Sequence, residues 1–390
     1  MEERVEVVIA GGGVVGTSVA FHLAALGVTD VVLLERAHLA SGSTGRSVGI
    51  VETAYGTSLN VGLAKQGFDE LSRFPEVTGE TADFHPRPYL ETVCGPERRH
   101  HLDETRRLCE SSGLHARILE PTDVREVFPE MHTADLAGGV LVREAGFVDP
   151  TSVANGYARA ARRLGVRVRT ETPVERVLVE RGEVVAVRTR EGTIPCDSVV
   201  NAAGPWCNDL NRPLGFEVPV SLWQRQIFVT SPHPDIPPDR PIYVDLTGRF
   251  YFRQELDGSF LLGLVEDVAA KDLANPETDW DFEARAVEAA IHRVPKLAET
   301  RITNGWSGVV TFTPDQVPVV GPAPRVKGLF LANGMSGYGV MISPAVGQAL
   351  AELIVSGRAR SLDLAALSLE RFEGGAGSSG SGLWPETARG

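Results

Sequence analysis

An α/β fold in two interleaved parts is predicted for this 390-residue chain by three observations. A continuous apolar run, Val5 to Ala10, leads straight into Gly11-Gly12-Gly13-Val14-Val15-Gly16, followed by a helical stretch and a second apolar strand. The same alternation resumes only at "GFVDPTSVANGYARAARRLGVRVRT" and again near the C-terminus at "GLFLANGMSGYGVMISPAVG". The segments between have another texture, short strands rich in proline and aromatic residues. The chain therefore reads as a discontinuous α/β domain (residues 1–75, 145–217 and 305–372) carrying a β-rich, α+β domain (residues 76–144 and 218–304), with a flexible tail at 373–390.

Taken in order, Val5 to Ala10 has the composition of a strand buried on both faces. Gly11, Gly13 and Gly16 fit G-x-G-x-x-G, the first for the tight turn, the second for close approach to a pyrophosphate and the third for helix packing. A helix runs from Val14 to about Leu26 and Gly27 stops it; the strand Asp30 to Leu34 ends at Glu35, about twenty residues past the loop, where a carboxylate grips a ribose hydroxyl and disfavours a phosphorylated ribose. This βαβ start is Rossmann-like, and alone it leaves FAD and NAD both open.

His38 to Gly56 is a Gly/Ser/Thr-rich loop read as cofactor-facing, and Leu59 to Phe74 reads as a helix. Asp149-Pro150 opens a helix to about Leu164, and Val166 to Arg169 is the next strand. A β-meander follows with turns at Arg181-Gly182 and Glu191-Gly192, closing on a buried strand Ser198 to Asn201. Strands dominate Val218 to Val265, and an acidic helix spans Asp279 to Val294. After the strand Leu329 to Ala332, Ser343 and Pro344 read as N-cap and first turn of a helix that Gly357 ends. Gly374 to Gly390 is low-complexity, with Leu383-Trp384-Pro385 a docking element within it.

The formal net charge of −13 disfavours nucleic acid or an anionic membrane as partner. Cys94, Cys109, Cys196 and Cys207 show neither CxxC nor zinc-site spacing and read as free thiols in a reducing compartment. The first strand starts too close to Met1 for a signal peptide, and no apolar run of roughly 18 residues stands out as a membrane span, so the expectation is a cytoplasmic protein. His22, His100, His101 and His115 read as surface groups, and Trp206 and Trp306 as packing beside the cofactor.

Four stretches together resemble a known family: the glycine loop with Glu35, "GSTGRSVGIV" from Gly42, "VVNAAGPW" from Val199, and "TPDQVPVVGPAP" with "GLFLANGMSGYGVMISPAVG". The chain resembles the FAD-dependent D-amino-acid oxidase superfamily, most of all the sarcosine oxidase β-subunit, dimethylglycine dehydrogenase and glycine oxidase group, from Val5 to about Phe372. The resemblance implies an FAD-binding domain in the discontinuous part and a substrate domain in the β-rich part. It puts Gly11, Gly13, Val14, Val15 and Gly16 at the pyrophosphate, Glu35 and Arg36 at the adenosine ribose, and Val174 at the adenine. Ser43, Thr44, Arg46 and Ser47 would lie near pyrophosphate and flavin, and Ala203, Gly204 and Trp206 along the cofactor. Gly334, Ser336, Gly337, Tyr338, Gly339 and Val340 would pass the flavin ring. The implied chemistry is hydride transfer from the carbon beside a substrate nitrogen to flavin N5, giving an imine that water hydrolyses. The acceptor would be O2 or an electron-transfer partner, and a homo- or hetero-oligomer is in keeping with the group.

Several members tether the flavin through a histidine matching Arg46 or a cysteine matching about Gly308; neither is here, which implies non-covalent FAD. The cations that hold a substrate carboxylate match Glu52, Met341, Val310 and Gly337, none of them basic. Either Glu52 binds a cationic amine, or Arg253 or Arg225 holds a carboxylate, or Glu52 pairs with a structural arginine such as Arg46. Tyr251, Arg253 and Tyr338 are candidates for the pocket wall. The oxygen-activating lysine would fall near Leu261 or Leu262, leaving Lys271 as a substitute. The expected substrate is a small amine or amino acid. Alternatives are a 2-hydroxy-acid or polyol dehydrogenase, a flavoprotein subunit that needs a partner, and an NAD-only enzyme.

Overall fold

The computed structural model describes residues 4–373. The expected tail and its Leu383-Trp384-Pro385 lie outside the described residues. Two large sheets form the frame. The first has eight strands. Its parallel centre runs Arg167–Arg169, Val31–Leu34, Val5–Ala10, Gly192–Asn201 and Leu329–Asn333, with Val319–Pro322 antiparallel on the last of these. Val5–Ala10 sits in the middle, so apolar residues on both of its faces are buried, as its composition requires.

The expected short strand at Ser198 is the second half of one strand, Gly192–Asn201. Its first half pairs antiparallel with Glu183–Thr189, and its second half runs parallel to Val5–Ala10. The preceding turn falls at Arg190-Glu191, one residue early, because Gly192 is already in the strand.

Three helices cover one face of this sheet. Val14–Ala25 lies between Pro150–Arg163 and Gly339–Ser356, which in turn packs on Ser58–Leu71. Asp149 caps its helix by accepting from the Thr151 and Ser152 N–H groups, and Thr57 caps Ser58–Leu71 through Asn60 N–H. The sequence runs the latter helix on to Phe74; instead it stops at Leu71, and a separate turn, Phe74–Thr78, follows.

The helix Gly339–Ser356 corrects two expectations. It begins five residues before Pro344, so Ser343 is no N-cap. Proline lacks the N–H that would reach the Val340 carbonyl, and the Ser343 hydroxyl donates to that carbonyl instead at 2.9 Å, which lets the helix pass through. With 18 residues and a mean hydropathy of 1.4 it is also long and apolar enough to cross a membrane, although the sequence reading found no such run. Its apolar faces are covered by the neighbouring helices rather than left bare.

The second sheet has nine strands. Ser221–Thr230 and Ile302–Phe312 form its longest pairing, and the hairpins through Ile242–Asp245, Phe250–Gln254 and Phe260–Leu264 continue it. On its outer face Phe228, Phe252, Phe260 and Phe282 make a separate core with the helix Asp281–Arg293. Its inner face looks toward the first sheet, and the space between is the cavity described below.

His22 is not on the surface. It is buried, and its Nε2 lies 3.3 Å from Glu70, which also accepts the Tyr157 hydroxyl hydrogen. Burial raises the Glu70 pKa, but the hydrogen bonds from His22 and Tyr157 outweigh it and hold the carboxyl below its usual range. A carboxyl so depressed stabilises the fold above its unfolded pKa of about 4.3 and loses that contribution as pH falls through the folded value. Glu70→Gln is expected to cost about 1–3 kcal/mol at pH 7, with the deficit shrinking below about pH 4. Urea unfolding at both pH values reads this, and a deficit independent of pH would show that the charge on Glu70 is immaterial.

Candidate active site

One elongated cavity of about 780 Å³ runs between the two sheets. At one end lies Glu35, at the tip of the strand Val31–Leu34 and largely buried; its carboxylate accepts the N–H groups of Gly12 at 2.7 Å and Ala37 at 2.8 Å. Arg36 and Val174 line the same end, and the Arg36 guanidinium stacks 4.3 Å over the Trp206 ring. These contacts hold an acceptor and a flat cationic surface where the βαβ unit ends.

The middle of the cavity is floored by backbone. Gly11, Gly13, Val14 and Val15 line it, and the helix starting at Val14 presents first-turn amides that have no acceptor four residues back. The Thr44 hydroxyl takes one of them, Val14 N–H, at 3.1 Å. Gly11 has φ +116°, and a Cβ there would stand 2.3 Å from the Ala202 carbonyl, so only glycine makes this turn. Gly16 lies outside the cavity, pressed on the Gly11 carbonyl, so it packs the helix and holds no ligand itself.

Ser43, Thr44, Arg46 and Ser47 form the side wall with Ala203, Gly204 and Trp206. Ser43 donates to the Val309 carbonyl at 2.5 Å. Arg46 donates to the carbonyls of Ser307 and Ala274, so it ties this wall to the second sheet and is no partner of Glu52. Trp306 donates its indole N–H to the Arg46 carbonyl. Arg46 and Gly308 are neighbours, with an added Gly308 Cβ only 3.0 Å from Arg46 Cβ.

At the far end, Gly334, Ser336, Gly337, Tyr338, Gly339 and Val340 lead into the helix Gly339–Ser356, whose free amides at Gly339, Val340 and Met341 open on the cavity. Beyond them sit Glu52, Tyr251 and Arg225. Glu52 is buried and accepts the Tyr55 hydroxyl at 2.8 Å; Tyr55 packs edge-on against Tyr338. Burial drives the Glu52 pKa up to about 7, opposed by the Tyr55 hydrogen bond. Burial likewise raises Tyr251 to about 12, with Arg225 opposing and Glu52 adding.

Arg253 is not in this wall. It falls two residues after Tyr251 on the same face, about 6.7 Å further along the strand. There its guanidinium donates to the Val48 carbonyl at 2.6 Å and to Glu255 at 2.9 Å. Lys271 is exposed and outside the cavity, whose cationic side chains are arginines.

Sequence reasoning missed Tyr55 and Glu91. Glu91 is a second buried acid, accepting the Thr105 hydroxyl at 3.3 Å. Burial pushes its pKa up to about 8, with Glu52 adding to the rise and the Thr105 hydrogen bond opposing it. An acid at an inward position of "YLETV", between apolar neighbours, was the available signal.

The residues present fit a dinucleotide such as FAD. The floor is a row of glycines, and a Cβ on Gly204, at φ +55°, would meet no atom within 4 Å and enter the cavity. An acceptor stands at one end, helix amides in the middle, and a second helix N-terminus at the other.

Known proteins agree. Residues 6–353 match the family described as "DAO: FAD dependent oxidoreductase". Mitochondrial dimethylglycine dehydrogenase of Rattus norvegicus is 33% identical, over 91% of this chain and 43% of its own length. The 4-methylaminobutanoate oxidase (formaldehyde-forming) of Paenarthrobacter nicotinovorans is 31% identical, over 95% and 46%. The chain thus spans less than half the length of these relatives. Among solved structures, L-proline dehydrogenase from P. horikoshii has a TM-score of 0.89 at 26% identity, covering 96% of this chain and 99% of its own. Glycine oxidase from Geobacillus kaustophilus shares the fold, with a TM-score of 0.85 at 24% identity, covering 96% and 100%.

Glu35→Gln puts an amide where two N–H groups now find a carboxylate. The dissociation constant for FAD is expected to rise about tenfold, read by fluorescence titration of flavin-free protein; unchanged binding would remove Glu35 from the site.

Proposed function

The chain belongs to the FAD-dependent oxidoreductase family, and from that premise we propose that it oxidises the C–N bond of a secondary or tertiary amine borne by an N-substituted amino acid. The observation that carries the proposal is Glu52, a buried carboxylate that lines the cavity beside Tyr338 and whose pKa burial raises to about 7. FAD is the cofactor, and when bound it supplies the two-electron acceptor that no side chain can. The relatives named for dimethylglycine, 4-methylaminobutanoate and L-proline support an amine that also carries a carboxylate.

An alkylammonium near neutral pH carries a proton that must leave before the adjacent carbon can release hydride. Ionised Glu52 attracts the cation and takes that proton, and Tyr55 keeps its carboxylate oriented by donating to Oε1. The neutral amine then loses hydride from the carbon beside nitrogen, and water converts the resulting imine to an amine and a carbonyl compound. Tyr338, edge-on against Tyr55 and donating to the Gln316 side chain at 3.4 Å, packs the wall beside this acid. Electrons pass on to O2 or an electron-transfer partner.

Glu52 is active as a base only when ionised, so the anaerobic rate of flavin reduction by a saturating N-methyl amino acid is expected to rise with pH through a midpoint near 7. Glu52→Gln is expected to lower the rate by about 10²–10⁴ and to abolish that midpoint. Retention of the same midpoint would remove Glu52 from the proton transfer.

With arginine at position 46 and glycine at 308, neither position offers the histidine or cysteine through which similar proteins tether the flavin, so the FAD is taken to be non-covalent. Acid denaturation and filtration are expected to leave all the yellow colour in the filtrate, and colour remaining with the protein would contradict this.

A further inference from the structure

A second, smaller chamber of about 140 Å³ adjoins the main cavity and shares Arg225, Val265 and Phe312 with it. Arg225 thus stands in the partition, with its guanidinium 5.2 Å from the Phe312 ring and engaged by the carbonyls of Gln224 and Glu266. On the far side the chamber adds a second arginine, Arg249. Its Nε is buried and has no hydrogen-bond partner among the described residues. Its backbone is left-handed, with φ +50°, a conformation that arginine rarely adopts.

One acid answers both cations. Asp267 Oδ1 lies 3.4 Å from Arg225 and 3.5 Å from Arg249, both longer than the roughly 2.7–2.9 Å of a well-made charged hydrogen bond. Asp267 is also the most exposed of the three, at 38% against 12% and 22% for the arginine side chains. Two guanidinium groups share one loosely placed carboxylate, which leaves a surplus positive charge and an unmet donor lining the small chamber. That is a site for a second carboxylate.

We propose that this chamber is the subsite for the substrate's carboxylate, bound between Arg225 and Arg249. The proposal rests on the amine-oxidising reading above and adds what the substrate carries beyond its nitrogen. A carboxylate held in this chamber lies on the far side of Arg225 and Phe312 from the main cavity. The proposal accordingly places a chain of methylenes between that carboxylate and the amine. Tyr251 lines the main cavity within electrostatic reach of both Arg225 and Glu52, so the substrate's two charges meet opposite charges around one hydroxyl. The substrate class is an N-alkyl ω-amino acid.

The test uses the FAD-loaded enzyme and two readouts. In the first, butanoate and its neutral counterpart butanol are titrated against the flavin absorbance. Wild type is expected to favour butanoate, and Arg249→Met to reduce the butanoate-to-butanol affinity ratio by about tenfold or more. Arg249→Lys, which keeps the charge and loses the planar fork, is expected to fall between. Asp267→Asn removes the competing acid and is expected to tighten butanoate several-fold, a gain that a misfolded variant cannot produce. An unchanged ratio in Arg249→Met, or weaker butanoate binding in Asp267→Asn, overturns the proposal, as does a wild type that does not favour butanoate. In the second readout, anaerobic reduction by 4-(methylamino)butanoate is compared with N-methylglycine, and the longer acid is expected to have the higher kcat/KM. The reverse order overturns the chain-length assignment. If no amine reduces the flavin, the functional reading fails while the butanoate titration still decides the subsite.

Discussion

The cavity depends on one backbone contact, that of Gly67 on the Met341 carbonyl. A Cβ at position 67 would lie 1.6 Å from that oxygen, so the helix Ser58–Leu71 can press on the first turn of Gly339–Ser356 only because the side chain is missing. Further along Gly339–Ser356, Gly347 lets the Ser18 hydroxyl come close, with an added Cβ only 2.2 Å from it. Seated by these contacts, the helix starts at the cavity rather than at its proline. Its first-turn amides then face the cavity, where a helix N-terminus favours negative charge. Ser343 makes this seat tolerable by giving the Val340 carbonyl the donor that Pro344 lacks.

Charge in the interior is distributed unevenly, and the unevenness has a function. Glu35 is buried but its carboxylate is held by two N–H groups at the dinucleotide end. Glu52 and Glu91 are buried, each with one hydroxyl donor and no cationic partner among the described residues, and Glu52 adds to the rise of the Glu91 pKa. Such acids destabilise a fold, and an apolar side chain of similar size would pack there at lower cost. They lie within electrostatic reach of Tyr89, whose buried hydroxyl has no hydrogen-bond partner among the described residues, and burial raises the proton affinity of all three groups. The cysteines show the opposite case: burial lifts Cys109, Cys196 and Cys207 to about 12, which leaves them inert.

Much of this was legible in the sequence, and the boundary has a physical origin. The βαβ start, the glycine loop and Glu35 are local patterns, fixed by spacing along some thirty residues, and so they could be read directly. The start of Gly339–Ser356 could not, because a hydroxyl-to-carbonyl bond inside the helix overrides the proline signal. Nor could the burial of His22, whose neighbours Glu70 and Tyr157 are distant in sequence. Tyr251 and Arg253 share a face by alternation, yet only the sheet's placement shows that the cavity ends between them.

The two ends of the cavity are built from different materials, and this decides what each can vary. The dinucleotide end is made of backbone amides, carbonyls and glycines, so its chemistry is the same for any sequence that can make the turn at Gly11. The substrate end is made of side chains on strands, and each strand of the second sheet alternates between two duties. Phe250 and Phe252 belong to the outer aromatic core, while Tyr251 between them lines the cavity. Gln226 and Phe228 likewise leave the cavity to Arg225 and Ile227. Outward positions thus carry the stability of the sheet, and inward positions can exchange an arginine, a tyrosine or an acid without disturbing it. A single fold can therefore hold one cofactor and vary the charge that faces it: in this chain the inward positions of the second sheet supply Arg225 and Tyr251, while Glu52 comes from the segment after the strand Ile50–Val51.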